Sequence, residues 1–205
     1  SLKSLSSQIQ MSTDSKFLEH LRTGLKLASV PNGATLIVAF SGGPDSSALL
    51  AGLANLADDH NYSLVAAHIN HQIRAEASRS DQLAAQAIAE SLQVEFVTET
   101  VDVPAIAVEK NISVESAARH ARYQVLSQIA QSSNAFGVVT GHTRGDQAET
   151  VLLHATRGAG LKGISGMNYQ SVLKIPDSDI ELNVLRPMLG TPRSECIEYC
   201  EKHGI

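Results

Sequence analysis

The segment Phe40-Ser41-Gly42-Gly43-Pro44-Asp45-Ser46-Ser47 decides how this chain is interpreted. An apolar run at 36–40 leads into it, and apolar residues at helical spacing follow it over 48–56. This pattern predicts a strand, a tight loop and a helix. Adjacent glycines let backbone N–H groups approach a ligand, and the start of the helix presents further N–H groups and the positive end of its dipole. The segment therefore predicts an anion site, most simply for a phosphate.

Three side chains of this segment indicate what the anion site would bind. Asp45 would repel a phosphate unless a cation stands between them, so it suggests bound Mg²⁺. Ser41 and Ser46 add hydroxyl donors. An alternative stays open, in which Asp45 or Ser46 caps the helix and binds nothing.

The composition indicates one α/β domain with a substantial core. The chain has 205 residues, of which 43% are hydrophobic, and a formal net charge of −5. An acidic balance weighs against strong nucleic-acid binding by this domain alone, because neutralising phosphates requires clustered Lys and Arg. No apolar run approaches the ~18 residues of a membrane span, so we expect no membrane partner.

The two cysteines and the N-terminal composition give expectations about the cellular compartment. Cys196 and Cys200 lie four residues apart and form neither a C-x-x-C motif nor a disulfide framework. We therefore expect a reducing, cytoplasmic setting. A plastid is the alternative if the Ser-rich start of the chain is the remnant of a transit peptide.

The rest of the chain alternates strands and helices. Residues 1–13 are expected to be flexible, and 14–205 to form the domain. Strands are predicted at 36–40, 64–69, 94–97, 136–140 and 184–187. Helices are predicted at 14–29, over 48–56 with 58–61 closing the helix, at 75–92 and 113–130, from 145 or 146 to about 157, and from 191 onward. A mobile glycine-rich loop is predicted over 158–166. Alternation at this spacing predicts an α/β fold, a five-stranded parallel sheet with helices on both faces.

Polar residues follow three of these strands and should meet at one edge of the sheet, where ligands bind. His68, Asn70 and His71 end the second strand, and we interpret them as a polar strand end that lines a nucleotide pocket. His68 and His71 alone do not predict a metal site, because a third ligand at suitable spacing is missing.

The fourth strand leads to His142 and Asp146, and Asp146 could complete a Mg²⁺ site with Asp45. In the alternative, Asp146 caps the next helix, with Glu149 at its third position.

The helix at 113–130 carries Arg119 and Arg122, three residues apart and therefore on one face. A guanidinium binds phosphate bidentately and stabilises charge that develops on it. The alternative is an ordinary solvated face.

The loop Ser41-Gly42-Gly43-Pro44-Asp45-Ser46 resembles the Ser-Gly-Gly-x-Asp-Ser loop of the N-type ATP pyrophosphatases, or PP-loop enzymes. That family cleaves ATP between the α- and β-phosphates and adenylates a carbonyl-type oxygen. Within it, the chain is similar to the tRNA(Ile)-lysidine synthetases. The segments that carry this similarity, in order, are 68–74, 113–123, 146–153, 157–167 and 186–190.

The resemblance implies an adenine nucleotide alpha hydrolase-like, Rossmann-like fold and a ligase that uses ATP and Mg²⁺. Such enzymes adenylate the wobble cytidine of isoleucine tRNA with a CAU anticodon. The ε-amine of free lysine then displaces AMP and gives lysidine. A homodimer is also compatible with this resemblance.

Roles for individual residues follow. ATP binding is assigned to Ser41, Gly42, Gly43, Pro44, Asp45, Ser46, His68 and Asn70. Asp45 and Asp146 would bind Mg²⁺. By resemblance, Arg122 is the Arg before Tyr in the helix motif and His142 is the first His of the fourth-strand motif, and both would face the reacting phosphate. Catalysis is thus assigned to Asp45, Arg122, His142 and Asp146. Glu149 is the candidate for binding the lysine ammonium, with helix capping as its alternative.

The chain departs from the family pattern in two places. Family members often have His-His-x-x-Asp-Gln where this chain has His142-Thr143-Arg144-Gly145-Asp146-Gln147. They also continue beyond the point that corresponds to Ile205 into domains that contribute to tRNA binding, so we expect an isolated catalytic domain.

Two alternative functions remain. One is a tRNA-thiolating PP-loop enzyme, although those related to cytidine thiolation carry paired C-x-x-C motifs, which this chain lacks. The other is a non-catalytic ATP-binding module of the same fold.

Overall fold

The computed structural model describes the backbone of residues 2–71, 75–156, 166–176 and 178–205. Side chains are described from residue 14 onward, outside 72–78, 153–165 and 177. Most of the predicted glycine-rich loop, including Gly158, Gly160 and Gly163, lies outside the described residues.

The domain is built on one twisted sheet of six strands in the order β3-β2-β1-β4-β6-β5. The strands are β1 (Thr35–Ala39), β2 (Ser63–Asn70), β3 (Glu95–Thr100), β4 (Gly137–Val139), β5 (Gln170–Lys174) and β6 (Glu181–Leu185). Every neighbouring pair is parallel except β5 and β6, which pair antiparallel. The α/β fold and five parallel strands are confirmed, but the predicted strand number is wrong by one.

The additional strand β5 lies at the sheet edge, where its side chains are exposed or half-buried. Because this strand is not buried, its sequence, Gln-Ser-Val-Leu-Lys, does not need the continuous apolar run that marks a buried parallel strand. The sequence pattern therefore did not predict it. The strand forms a hairpin with β6, closed by a hydrogen bond of 3.0 Å from the amide of Ile175 to the carbonyl of Ile180.

Helices cover both faces of the sheet, as predicted. They are α1 (Leu2–Leu27), α2 (Pro44–His60), α3 (Ala75–Ser91), α4 (Val103–Glu109), α5 (Val114–Ser132), α6 (Arg144–Thr156) and α7 (Arg193–His203). Successive side chains of a strand point to opposite faces. Leu36 and Val38 of β1 accordingly join one core with α1, α2, α3 and α7, whereas Ile37 joins the other with α5.

Helix α1 begins at Leu2, so the predicted start near Asp14 is too late in the chain. The Ser-rich composition of residues 1–13 suggested a flexible segment, but no Gly or Pro interrupts the chain before Gly24, and such a stretch can continue a helix. Flexibility of residues 1–13 stays a prediction. Among the described helices, none has the length and apolarity that crossing a membrane would require.

Close packing of α1 and α7 against α2 fixes the helix that follows the glycine loop. A Cβ at Gly52 of α2 would lie 2.6 Å from Leu21 Cδ2 and 2.9 Å from Phe17 Cε1, so only glycine permits this approach of α1. The ring of Phe17 stacks on Tyr199 of α7 with centroids 4.4 Å apart. The three helices therefore form one packed unit beneath the carboxyl edge of β1.

Candidate active site

The glycine loop between β1 and α2 is preformed by its own hydrogen bonds. Gly42 has φ +81°, a left-handed conformation that favours glycine. The Ser46 hydroxyl donates to the carbonyl of Gly43 at 3.0 Å and accepts from the amide of Ser41 at 3.3 Å. The Ser41 and Ser46 hydroxyl oxygens are 3.0 Å apart. Both hydroxyls are therefore used within the loop, and backbone N–H groups are left as the principal donors to an anion.

Helix α2 starts without a side-chain cap. Its N-cap is Gly43, and Pro44 occupies the first helical position. The interpretation of Asp45 or Ser46 as a capping residue is therefore wrong. Because the first N–H groups of a helix have no partner within it, those of Asp45 and Ser46 lie at the open end of α2, where the helix dipole is positive.

The loop after β4 lies directly against the start of α2. A Cβ at Gly141 would be 3.2 Å from both the carbonyl carbon of Asp45 and the amide nitrogen of Ser46. Any larger residue would force the two segments apart. Glycine at this position thus brings the start of α6 to the glycine loop.

A cavity of about 720 Å³ opens at this edge of the sheet. It brings together most of the predicted site residues, namely Ser41, Asp45, Ser46, His68, Asn70, Arg122, His142 and Asp146. Gly42, Gly43 and Pro44 shape the loop but do not line the cavity. Glu149 is exposed on α6 and does not line it either.

Asp45 and Asp146 form an acidic pair in this cavity. The pKa of Asp45 is raised, first by burial, and proximity to Asp146 adds to the shift while Arg193 opposes it. Asp45 Oδ1 is buried with no hydrogen-bond partner among the described residues. A buried carboxylate oxygen without a partner, beside a second carboxylate, fits a bound cation.

The carboxylate of Asp146 is also held by hydrogen bonds at the start of its own helix, α6. The amide and the hydroxyl of Thr143 both donate to Asp146 Oδ2, at 2.7 and 3.0 Å. Thr143 therefore precedes α6 as its N-cap, and Asp146 is the residue that bonds back to it. The alternative with Asp146 as N-cap and Glu149 at the third helical position is wrong, because the register is shifted by three residues.

Three arginines, Arg119, Arg122 and Arg186, lie near His142. Arg122 lines the cavity, whereas Arg119 lies over the Tyr123 ring with its guanidinium carbon 5.1 Å from the centroid. Arg186, at the end of β6, donates from Nη1 to the carbonyl of Asn168 at 3.1 Å. Both arginines of α5 are exposed, as expected for a solvated helix face. That interpretation is sufficient for Arg119, but Arg122 also lines the cavity.

His142 lies near these arginines and also near Asp146. Burial lowers its pKa, nearby Arg186 lowers it further, and Asp146 opposes the shift. Its Nδ1 is 2.8 Å from the hydroxyl oxygen of Thr140. The Thr140 hydroxyl donates to the carbonyl of Leu185 at 3.4 Å, and the same carbonyl accepts the Thr140 amide at 2.9 Å. Because the hydroxyl hydrogen is used in this bond, Thr140 Oγ1 is left to accept from His142 Nδ1.

The end of β2 supplies a second set of polar groups. His68 Nδ1 is 2.9 Å from the carbonyl of Phe40, which can only accept, so this nitrogen carries the hydrogen. Asn70 Nδ2 donates to Gln82 Oε1 at 3.3 Å. The pKa of His71 is lowered by burial, then by Arg122 and His68. These contacts agree with a polar strand end lining a pocket.

The described residues include no group of three or more His, Cys, Asp or Glu side chains that could hold a metal ion. A cation at Asp45 and Asp146 would therefore need oxygens of a bound phosphate as further ligands. This is the usual way in which Mg²⁺ binds beside a nucleotide.

Some residues of the site were not predicted. Arg193 of α7 lies 3.6 Å from Asp45, from Nε to Oδ2, but no local spacing links residues 193 and 45. Thr140 and Tyr123 also line the cavity, and Gly141 sets its width. Gly141 directly follows the fourth predicted strand, and a glycine at that point could have indicated a close approach of backbone segments.

A glycine loop between a strand and a helix, at the carboxyl edge of a parallel sheet and above an acidic pair, defines a nucleotide-binding α/β domain. The PP-loop domain model matches residues 13–205, and the chain therefore belongs to this family.

Curated relatives and solved structures agree with this assignment. The chain is 36% identical to tRNA(Ile)-lysidine synthase of Clostridioides difficile (strain 630) over 176 residues, which is 86% of this chain and 36% of the relative. It is 38% identical to the enzyme of the same name from Symbiobacterium thermophilum over 175 residues, 84% of this chain and 34% of that relative. The chain thus spans about a third of the length of these relatives.

The fold is also that of the U34-tRNA thiolase NcsA from Methanococcus maripaludis. The TM-score is 0.72 at 20% identity, with 93% of this chain and 64% of that chain covered. The NH3-dependent NAD synthetase of Campylobacter jejuni matches with a TM-score of 0.55 at 13% identity, over 95% of this chain and 73% of that one. At these identities the likeness concerns the fold alone.

The environment of His142 leads to a prediction about its titration. NMR of the ring C–H resonances should give a midpoint below the ordinary 6.5, because burial and Arg186 disfavour the charged form. Arg186→Gln should raise this midpoint and Asp146→Asn should lower it further. Arg186→Lys, which keeps the charge, is the control. A midpoint that does not respond to Arg186→Gln would contradict the described electrostatics.

Proposed function

We propose that this chain is the catalytic domain of a tRNA(Ile)-lysidine synthase. The observation that carries the proposal is that Asp45, Asp146, Arg122 and His142 line one cavity beside the glycine loop. Such a site can hold a triphosphate at one side and stabilise charge on the reacting phosphate from the other. The names of the curated relatives support the choice of substrate.

The first step is adenylation of the wobble cytidine of isoleucine tRNA with a CAU anticodon. The cytidine 2-carbonyl oxygen attacks the α-phosphorus of ATP, and the bond to pyrophosphate breaks with its electron pair on the leaving group. Asp45 and Asp146 would hold Mg²⁺, which supplies charge neutralisation for the phosphates. Little proton transfer is required, so donors that are positioned in advance dominate the rate. Arg122 and His142 fill that role.

The second step is displacement of AMP by free lysine. The lysine ε-amine, after it loses a proton, forms a bond to cytidine C2, and the bond from C2 to the AMP oxygen breaks. Glu149 is our candidate for binding a lysine ammonium. It lies one helical turn beyond Asp146 and is exposed, which places it outside the cavity lining and accessible to a second substrate.

Recognition of tRNA is expected to require more than this domain. Its net charge of −5 provides little of the basic surface on which nucleic-acid affinity depends. The matched part is about a third of the length of these relatives, and the remaining length is where we place most tRNA contacts. The homodimer and the cytoplasmic location stay predictions.

Thiolation of tRNA is the less favoured alternative. The chain has two cysteines, both buried on α7. Burial, with Asp45 nearby, raises the pKa of Cys196 to about 12 and that of Cys200 to about 11. A protonated, buried thiol is a poor nucleophile and a poor cluster ligand.

A direct assay tests the proposal. The full-length protein is incubated with isoleucine tRNA, ATP and labelled lysine. We expect label in the tRNA, with AMP and pyrophosphate formed in proportion. ATP binding without pyrophosphate release would instead support the non-catalytic module. Pyrophosphate release that requires a sulfur donor would support thiolation.

The positions of the two arginines of α5 predict different effects on adenylation. Arg122→Ala should lower the rate of adenylate formation by about 10²–10³, the usual loss for one donor to a developing oxyanion. Arg119→Ala should have a smaller effect, because Arg119 lies over Tyr123 and does not line the cavity. Pre-steady-state adenylation measures both. A larger loss in the Arg119 variant would overturn the assignment.

If Glu149 binds the lysine ammonium, replacing it should change the kinetics for lysine but not those for ATP. Glu149→Gln should raise the KM for lysine and leave ATP binding intact, because it removes a charge near the mouth of the cavity but no contact within it. Steady-state kinetics with each substrate varied in turn separates the two effects. An unchanged lysine dependence would exclude Glu149 as the ammonium-binding group.

A further inference from the structure

Arg193 is a cation at the acidic pair that the proposed reaction does not use. Its Nε lies 3.6 Å from Asp45 Oδ2, and the side chain of Asp45 is only 22% exposed against 65% for that of Arg193. Arg193 is also the one cation among the causes that set the pKa of Asp45, where it opposes burial and Asp146. The guanidinium thus balances a carboxylate that is otherwise poorly compensated.

The backbone at Arg193 is held in place beside the glycine loop. Arg193 is the first residue of α7, directly after the N-cap Pro192. The Cys200 thiol of α7 donates to the carbonyl of Pro44, the first residue of α2, at 3.4 Å. Cys196 and Tyr199 of α7 are buried in the core that also contains α2. The start of α7 therefore cannot move away from Asp45, although the Arg193 side chain can.

We propose that the Arg193 guanidinium competes with Mg²⁺ for the negative charge of Asp45 and so raises the Mg²⁺ concentration that nucleotide binding requires. This inference rests on the proposed role of Asp45 in metal binding. Both cations draw on the charge of one carboxylate, since Arg193 faces Oδ2 and Oδ1, which has no partner among the described residues, is the oxygen left for the metal.

The size of the effect follows from the exposure of Arg193. An ion pair with one partner largely in solvent contributes little, and its loss changes an equilibrium by about two- to fivefold. A competing charge of this strength shifts the Mg²⁺ requirement without preventing the metal from binding.

The test measures nucleotide binding, independently of turnover. A fluorescent, non-hydrolysable ATP analogue is held at fixed concentration with the full-length protein, and Mg²⁺ is titrated. In Arg193→Gln, the Mg²⁺ concentration at half-maximal binding should fall by about two- to fivefold. In an Asp45→Asn background, Arg193→Gln should produce no further fall, because the shared carboxylate is gone.

Arg22→Gln is the matched control. Arg22 forms a similar surface pair with Asp59 near the far end of the same helix α2, with 3.8 Å between Nη2 and Oδ2. It removes the same charge without touching the site and should leave the Mg²⁺ midpoint unchanged. An unchanged or raised midpoint in Arg193→Gln would overturn the inference alone. Nucleotide binding that needs no Mg²⁺ in the unaltered protein would overturn it together with the proposed metal role of Asp45.

Discussion

The close approach of Gly141 to the first turn of α2 is the constraint on which the site depends. Strands β1 and β4 are hydrogen-bonded neighbours, so the loops that follow them emerge side by side. Their separation is then set by the missing side chain of Gly141, since a Cβ there would already be 3.2 Å from two backbone atoms of Asp45 and Ser46. This contact brings the starts of α2 and α6 to one point. The two carboxylates and the two positive helix ends are consequently gathered at one cavity.

Charge is segregated within that cavity. Asp45 and Asp146 lie at the helix starts, whereas Arg122 belongs to α5, which packs on the opposite face of the sheet. A triphosphate that follows the glycine loop would meet a cation held by the carboxylates on one side and arginine on the other. The backbone elements that carry these groups are in place before a ligand binds. Burial and the nearby Arg186 lower the pKa of His142, which disfavours its charged form.

Much of this could be read from the sequence because it is encoded locally. Apolar runs of buried parallel strands identified five strands, and residues that directly follow those strands, such as Asp45 and His142, were expected at one edge. The edge strand β5 was missed because an exposed hairpin strand carries no such run. The ion pair between Arg193 and Asp45 depends on how α7 packs against α2. Residue spacing within either segment does not predict how two distant helices pack.

The departure of residues 143–145 from the family pattern has a structural explanation. Any residue at position 143 could donate its backbone N–H to Asp146, but Thr143 adds a hydroxyl to the same carboxylate oxygen. Both bonds reach Oδ2, so the carboxylate is fixed in orientation and Oδ1 is left out of the cap. Thr143 is 2% exposed and so does not present its side chain to a ligand. The threonine at this position thus acts on the placement of Asp146.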